Sequence, residues 1–577
     1  MAQSDEIQSL VEGIGSGQLG RREFLRRAAA LGLSSSLAMA VLAACGATTP
    51  TATTAPVASA APSAAASAAA SAASSAAGAA TARPSASAAA SAPAASSSAA
   101  ASAPAAGTPS SSTRTGITAA EWNPETIKAN AGTLKVDTKA AVAKITPLDY
   151  KANLKFWFTG TDGTSPPKAL ELEKAFFEAW KATYPNIPLT IGDNVQNIGY
   201  NDLIDKLRAA TAGAAAPDVT RLQALGGIEL AAKGFLQEIK LADFGYKEEN
   251  FWSGALKSCI WNGKVYGVPT NNETMAFIYN KKIFERAGLD PSKPPATWAD
   301  VVKYSKQIKE KTGKWGYGLV CRVNAGNTPF RFMPVLWGYG SGALDEADPN
   351  PTYKKVTINN EGGIAALQTY YDMYVTDQSV PTSALTNTQV ENQDLFISQQ
   401  IAMVISHPSE YAVMIDKLSK ATGQDKVIAQ EAVDNMAYGL IPEGTARRAV
   451  VFGGSNMHIF NEKATGRPVD AKATNAFMAF STGPEWSIKA WSWLGSNPGH
   501  LDGFKTDWMK ERLDSIKFLE VTTAMLPYGI PFPAIPEQTT IMNNIIPEML
   551  QNALTKKMTV KQAADDAADR IKKLVNI

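Results

Sequence analysis

Cysteine and histidine are scarce in this chain of 577 residues: Cys45, Cys259 and Cys321, with His407, His458 and His500. Three cysteines cannot build a disulfide-dense scaffold or a four-cysteine zinc site, and no HExxH spacing joins the histidines. A GxSxG elbow and a GxxxxGK[ST] phosphate loop are also missing, which removes the usual serine-hydrolase and NTPase signatures. Residues 46–115 hold no acid, and Arg83 and Arg114 are their only basic residues. Removing the six basic and four acidic residues before position 116 from totals of 55 and 53 leaves 49 of each. A balanced chain lacks the cation excess that binding to nucleic acid requires.

What is present begins with GRREFLRRAAALGLSSSLAMAVLAACG at 20–46. Arg21-Arg22, Phe24-Leu25 and Arg26 resemble a twin-arginine export signal, with Gly20 where Ser or Thr is usual. The run 28–44 is weakly apolar and marginal for crossing a bilayer core of roughly 30 Å. Leu42-Ala43-Ala44-Cys45 resembles a lipobox, in which Cys45 is diacylated and becomes the first residue after cleavage. Residues 1–44 are therefore expected to be a signal peptide. Residues 45–115 follow as a lipidated cysteine and an Ala/Ser/Thr/Pro tether, without the apolar side chains a core needs. As a coil of about 70 residues it would reach roughly 45–50 Å. A pre-domain segment fills 116–150.

From residue 151 strands and helices alternate. The apolar run 154–158 reads as a strand entering the polar loop 159–163, and 166–182 follows at helical spacing. Runs 187–191 and 217–222 read as further strands, with helices at 200–212 and 227–233 between and after them. Such alternation implies a mainly parallel sheet with covered faces and ligands beyond the strand ends. Asn262-Gly263 predicts a hairpin turn, and Asn280 and Gly288 bracket a helix over 281–287. Thr297 to Asp300 reads as a capping-box opening for the next helix, to about Gly313. Between two apolar runs stands Thr270-Asn271-Asn272-Glu273, preceded by Pro269, which reads as a polar break between strands.

GKVYGVP, IYNKKIFERAGL, WGYGSGALDEADPNPTYKKV, DLFISQQIAMVISHPSEY, YGLIPEGTARRAVVFGGSNMHIF and MTVKQAADDAADRIKKLV occur in one order. That series resembles the extracellular solute-binding proteins of ABC importers, in the family of the maltose- and oligosaccharide-binding proteins, over residues 151–577. The resemblance implies a two-lobed α/β periplasmic-binding-protein fold of type II, its lobes joined by hinge crossovers with the ligand cleft between them. Lobe 1 would hold about 151–270 and 455–510, lobe 2 about 274–452 and 515–577. Residues 269–274 would form the first crossover, Gly453-Gly454-Ser455-Asn456 the second, and 505–520 the third. It further implies no catalysis, no metal or other cofactor, and a monomer anchored outside the cell membrane. Its partners would be a carbohydrate and the transmembrane subunits of a permease with a separate ATPase.

The same resemblance nominates ligand-binding residues: Thr159, Asp162, Gln223, Asn271, Asn272, Glu273, Phe330, Arg331, Trp337, His407, Gly454, Ser455, Asn456 and Trp491. Amides and carboxylates suit sugar hydroxyls, and rings suit their C–H faces. Ser409 and Met542 stand where relatives place stacking aromatics. A monosaccharide or a glycerophosphodiester therefore stays open beside an oligosaccharide, as do an exported carbohydrate-active enzyme and a structural surface protein. Cys259 and Cys321 are expected as buried thiols in different lobes.

Overall fold

The computed structural model describes Ile117 and residues 121–577, except 162–164, 166, 200–201, 225, 325–326 and 493–494. The expected signal and tether, with Arg21, Arg22 and Cys45, lie outside the described residues, as does Asp162. Helices Pro124–Asn130 and Thr138–Ala143 occupy the segment before residue 150 and join the folded body. Trp122 Nε1 donates to the Thr523 carbonyl at 2.9 Å, and Tyr184 donates to that of Thr146 at 2.8 Å.

Three short strands open the first lobe: β1 (Phe156–Phe158), β2 (Val195–Asn197) and β3 (Val219–Gln223), with β2 and β3 both parallel to β1. The expected strand at 187–191 is not one. Pro188 lacks a donor, Gly192 turns the chain at φ 89°, and the Asn194 side chain accepts from Thr190 N. The hairpin β4 (Ile260–Trp261) and β5 (Lys264–Val265) closes on Asn262 and Gly263, both left-handed at φ 48° and 75°.

Next, β6 (Val268–Glu273) carries the chain out of this sheet into β7 (Ala276–Asn280). The polar four are thus not a loop. They are the end of β6, paired to later strands, and the register bulges at Thr270, next to Pro269, which has no N–H for the ladder. With β8 (Trp315–Tyr317), β9 (Ile401–Ser406) and β10 (Met436–Gly439), β7 forms a second sheet in the order β10-β7-β9-β8. Its helices start as expected. Asn280 caps Lys281–Ala287, Gly288 ends it at φ 75°, and Thr297 and Asp300 form a capping box for Trp298–Thr312.

The chain then returns through β11 (Val450–Val451) to β12 (Gly453–Ile459), which lies antiparallel between β6 and β3. β13 (Asn497–Pro498) adds to the far side of β6, completing the order β13-β6-β12-β3-β1-β2. β14 (Gly529–Ile530) runs parallel beside β11. Residues 505–520 carry helix Asp507–Ser515, and just beyond it Phe518 stacks on Tyr438 of the second lobe, ring centroids 4.4 Å apart. Both sheets are mixed rather than mainly parallel.

Each sheet has a core on both faces. In the first lobe Phe156, Phe158, Phe176 and Trp180 fill one side, and Leu203, Leu207, Leu222 and Leu230 the other. In the second, the larger core joins Phe277, Tyr317 and Trp337 to the last helix, Val560–Val575. Cys259 and Cys321 are both buried free thiols. Among the described residues no helix is long and apolar enough to cross a membrane.

Candidate functional site

The parallel strands of the first lobe end on one rim. Thr159 and Gly160 follow β1, Arg221 and Gln223 finish β3, and the pairing of β6 with β12 sets Asn271, Glu273 and Ser455 beside them. Together with Glu173, Trp491 and Ser496 these residues line a cavity of about 250 Å³. Thr159, Gln223, Asn271, Glu273, Ser455 and Trp491 are thus brought together as the sequence suggested.

Arg221 ties the rim. Its Nε donates to Thr270 Oγ1 at 3.1 Å, Nη1 to the Thr159 carbonyl at 3.1 Å and Nη2 to Asn271 Oδ1 at 2.8 Å. The guanidinium also covers the Trp491 ring, 4.8 Å from its centroid. Phe176 and Phe158 meet the same ring edge-on at 4.9 and 6.1 Å, and Trp491 Nε1 donates to the Ser481 carbonyl. Protein groups therefore cover Trp491, which serves as a wall and not as a stacking platform.

Two acids share this wall. Glu173 accepts from Thr161 N at 2.7 Å, and Glu273 Oε1 accepts from Ser496 Oγ at 2.7 Å. Burial raises the Glu173 carboxyl above its ordinary range, opposed by the Thr161 hydrogen bonds and by Arg221. The Thr159 hydroxyl is buried without a partner, and such a group is one a hydroxylated ligand can satisfy.

The second lobe contributes Phe330 and His407 beside the cavity, their rings 6.2 Å apart. A Cβ on Gly453 would come within 3.2 Å of Phe330 Cε1 and 3.6 Å of Glu273 Cβ, so the bare glycine lets the ring approach the crossover. Burial lowers the His407 pKa, aided by Arg331 and opposed by Glu273. At neutral pH this imidazole is uncharged and can accept as well as donate.

Five nominated residues go elsewhere. Trp337 is wholly buried in the second lobe's core, its Nε1 donating to Glu346 at 2.9 Å. Arg331 is buried as well, bonded to the Asn327 carbonyl and to Gln389 Oε1. Asn272 donates to the Pro498 carbonyl and Asn456 to Ser258 Oγ, both inside the fold. Gly454, at φ 123°, serves the close passage of β12 past β6. Gly160 and Arg221 also line the cavity, inside the strand ends 159–162 and 221–223 where the alternation of strands and helices points to ligands, whereas Glu173 and Ser496 were missed. Glu173 carried a signal, because it lies on the buried stripe Ala169, Leu172, Phe176 and Trp180 of its helix, where an acid is out of place. Ser496 carried none. Among the described residues no group of His, Cys, Asp and Glu could hold a metal ion.

The sequence profile of the bacterial extracellular solute-binding proteins matches residues 163–488, more than half of the chain. The arabinooligosaccharide-binding protein of Bacillus subtilis is 26% identical over 346 residues, 58% of this chain and 71% of that protein. In fold, the chain resembles the GacH receptor of Streptomyces glaucescens, solved unliganded and with acarbose. The TM-score is 0.57 at 22% identity, covering 74% of this chain and 99% of that one. It also resembles UgpB of Mycobacterium tuberculosis, solved with glycerophosphocholine, with a TM-score of 0.56 at 17% identity over 74% and 99% of the two chains. The chain belongs to the bacterial extracellular solute-binding protein family.

Proposed function

We propose that this family member is the receptor of an ABC importer that captures a carbohydrate, an oligosaccharide or a related polyol, and delivers it to a membrane permease. A separate ATPase drives that permease. The cavity on the first lobe's rim carries the reading. It mixes amide, hydroxyl and carboxylate groups beside the crossovers, with one hydroxyl still unpartnered. Closure would bring Phe330 and His407 over it while the crossovers bend and the lobes move as bodies. The protein is a binder without turnover. It works as a monomer outside the cell, exported through the twin-arginine signal and held by lipid on Cys45.

A glycerophosphodiester is the second reading, favoured by the likeness to UgpB. The cavity weighs against it, because Arg221 spends donors on Thr270, Thr159 and Asn271, and Glu173 and Glu273 add negative charge. Thermal unfolding with a panel of mono- and oligosaccharides, polyols and glycerophosphocholine separates the readings. A ligand at about 100-fold over Kd adds roughly 2.7 kcal/mol. A shift with one neutral sugar that is not consumed is the expected result. A shift with glycerophosphocholine alone transfers the assignment, and hydrolysis of the sugar makes the protein an enzyme.

A further inference from the structure

A second cavity lies on the reverse of the crossovers. Residues 452 and 453 are consecutive in extended chain, so their side chains point to opposite sides. The Gly453 side meets Phe330 and Glu273, whereas the Phe452 ring packs with Trp252 and Ala255 and closes on Gly254. Helix Ser253–Lys257 therefore backs the crossovers. At its end Lys257 enters the wall of a cavity of about 700 Å³ that shares no lining residue with the solute cavity. The first lobe also gives this wall Trp261 and Asn262, and the second gives Asn350, Tyr353 and Glu537.

Two contacts bridge the lobes there. Lys257 Nζ donates to the Pro349 carbonyl at 2.9 Å, and Trp261 packs against cores of both lobes. Tyr353 is held at φ 55°, which is costly for a bulky side chain and is the kind of strain that collects at functional sites.

We propose that this reverse cavity is a second ligand site, taking a small compound that joins a ring to hydroxyls, and that its occupant tightens the solute cavity. The Trp261 and Tyr353 rings suit the ring, and the Asn262 and Asn350 amides suit the hydroxyls. Charges of both signs stand in this wall, Lys257 and Lys354 with Glu537, so no single sign of guest is singled out. With the crossovers as fulcrum, closing the front widens the reverse. Closure must draw Lys257 from Pro349 and Trp261 from one of its two partners. A guest that fills the widened space replaces those contacts, so it binds the closed form better, and linkage makes the coupling reciprocal. The coupling rests on the front cavity being the solute site.

The test is isothermal titration of the full-length protein with phenyl β-D-glucopyranoside as probe, repeated in Asn350→Trp, which plugs the reverse cavity from an exposed position, in Trp261→Ala and in Glu273→Gln. Probe affinity is expected to fall about tenfold or more in Asn350→Trp and Trp261→Ala and to stay unchanged in Glu273→Gln. Saturating probe should raise affinity several-fold for whichever panel sugar shifts the melting temperature. No binding to the unaltered protein at millimolar probe overturns the proposal, as does binding lost in Glu273→Gln but kept in Asn350→Trp. Failure of the solute-site reading looks different: the panel sugars then ignore Glu273→Gln while the probe still responds to Asn350→Trp.

Discussion

Adding one methyl group at Gly454 should damage the crossover far more than adding it at Gly263. At Gly454 the backbone sits at φ 123°, and a Cβ would lie 2.1 Å from the Asn271 carbonyl oxygen and 3.1 Å from Asn272 Cα. The obstacle is backbone pinned in the β6–β12 ladder, so it cannot swing aside as a side chain could. The conformation itself costs about 1–3 kcal/mol in any other residue, and forcing the packed strands apart adds about 1–3 kcal/mol. Gly454→Ala should therefore lose about 2–6 kcal/mol. Gly263 also has positive φ, 75°, but a Cβ there meets nothing within 4 Å. Gly263→Ala should lose only about 1–2 kcal/mol. Urea unfolding followed by circular dichroism reads the difference, since the midpoint falls in proportion to the loss divided by the slope. The displaced Asn271 also lines the solute cavity, so Gly454→Ala should bind the panel sugar more weakly while Gly263→Ala does not. Equal midpoints for the two variants, or unaltered binding by Gly454→Ala, would refute the reasoning.

Three other perturbations give defined outcomes. His458 is buried, with Nδ1 bonded to the Tyr266 carbonyl at 2.8 Å, and burial holds its pKa down at about 4. The unfolded chain takes up its proton first as pH falls through about 6.5, so stability rises with pH across this window. About 3 kcal/mol should be lost on acidification to about pH 4, and urea midpoints in His458→Asn should be flatter over the same range. Burial also raises both folded-region thiols, Cys259 to about 12. Neither should react with Ellman's reagent before urea is added, and peptide mapping that finds either one labelled in native protein would contradict their placement. Arg221→Lys keeps the charge but not the three-way fork. At about 1.5–3 kcal/mol per charged hydrogen bond, it should lower stability by about 3 kcal/mol and sugar affinity by more than tenfold, both read by the same titrations.

Local signals were legible in the sequence. Asn262-Gly263, the Asn280 and Gly288 caps and the Thr297 capping box act within four residues, and each sits where its chemistry asks. The run 187–191 misled because its apolar texture resembles a strand, while the strand that forms, Val195–Asn197, has a single apolar residue and depends on pairing with β1. In the site, residues at strand ends could be read from the alternation alone. Trp337 and Arg331 could not be sited, because in the helix Asn327–Gly338 nearly every position is buried and sequence does not say against what. Ser496 reaches Glu273 from 223 positions away through the β13–β6 pairing, and no local pattern announces such a contact.

The long-range ties also fix when this protein can fold. Strand β12 sits in the middle of the first sheet, yet it is made more than two hundred residues after β3. Trp122 waits for Thr523, 401 positions downstream. The second core, whose sheet is complete by residue 439, still lacks Ile541 to Ile571. A nascent chain leaving the ribosome therefore carries two unfinished lobes for nearly the whole of its synthesis, with apolar sheet faces in need of shelter. A stop codon even shortly before the helix Val560–Val575 leaves the second core uncovered, and one before β12 leaves neither lobe closed.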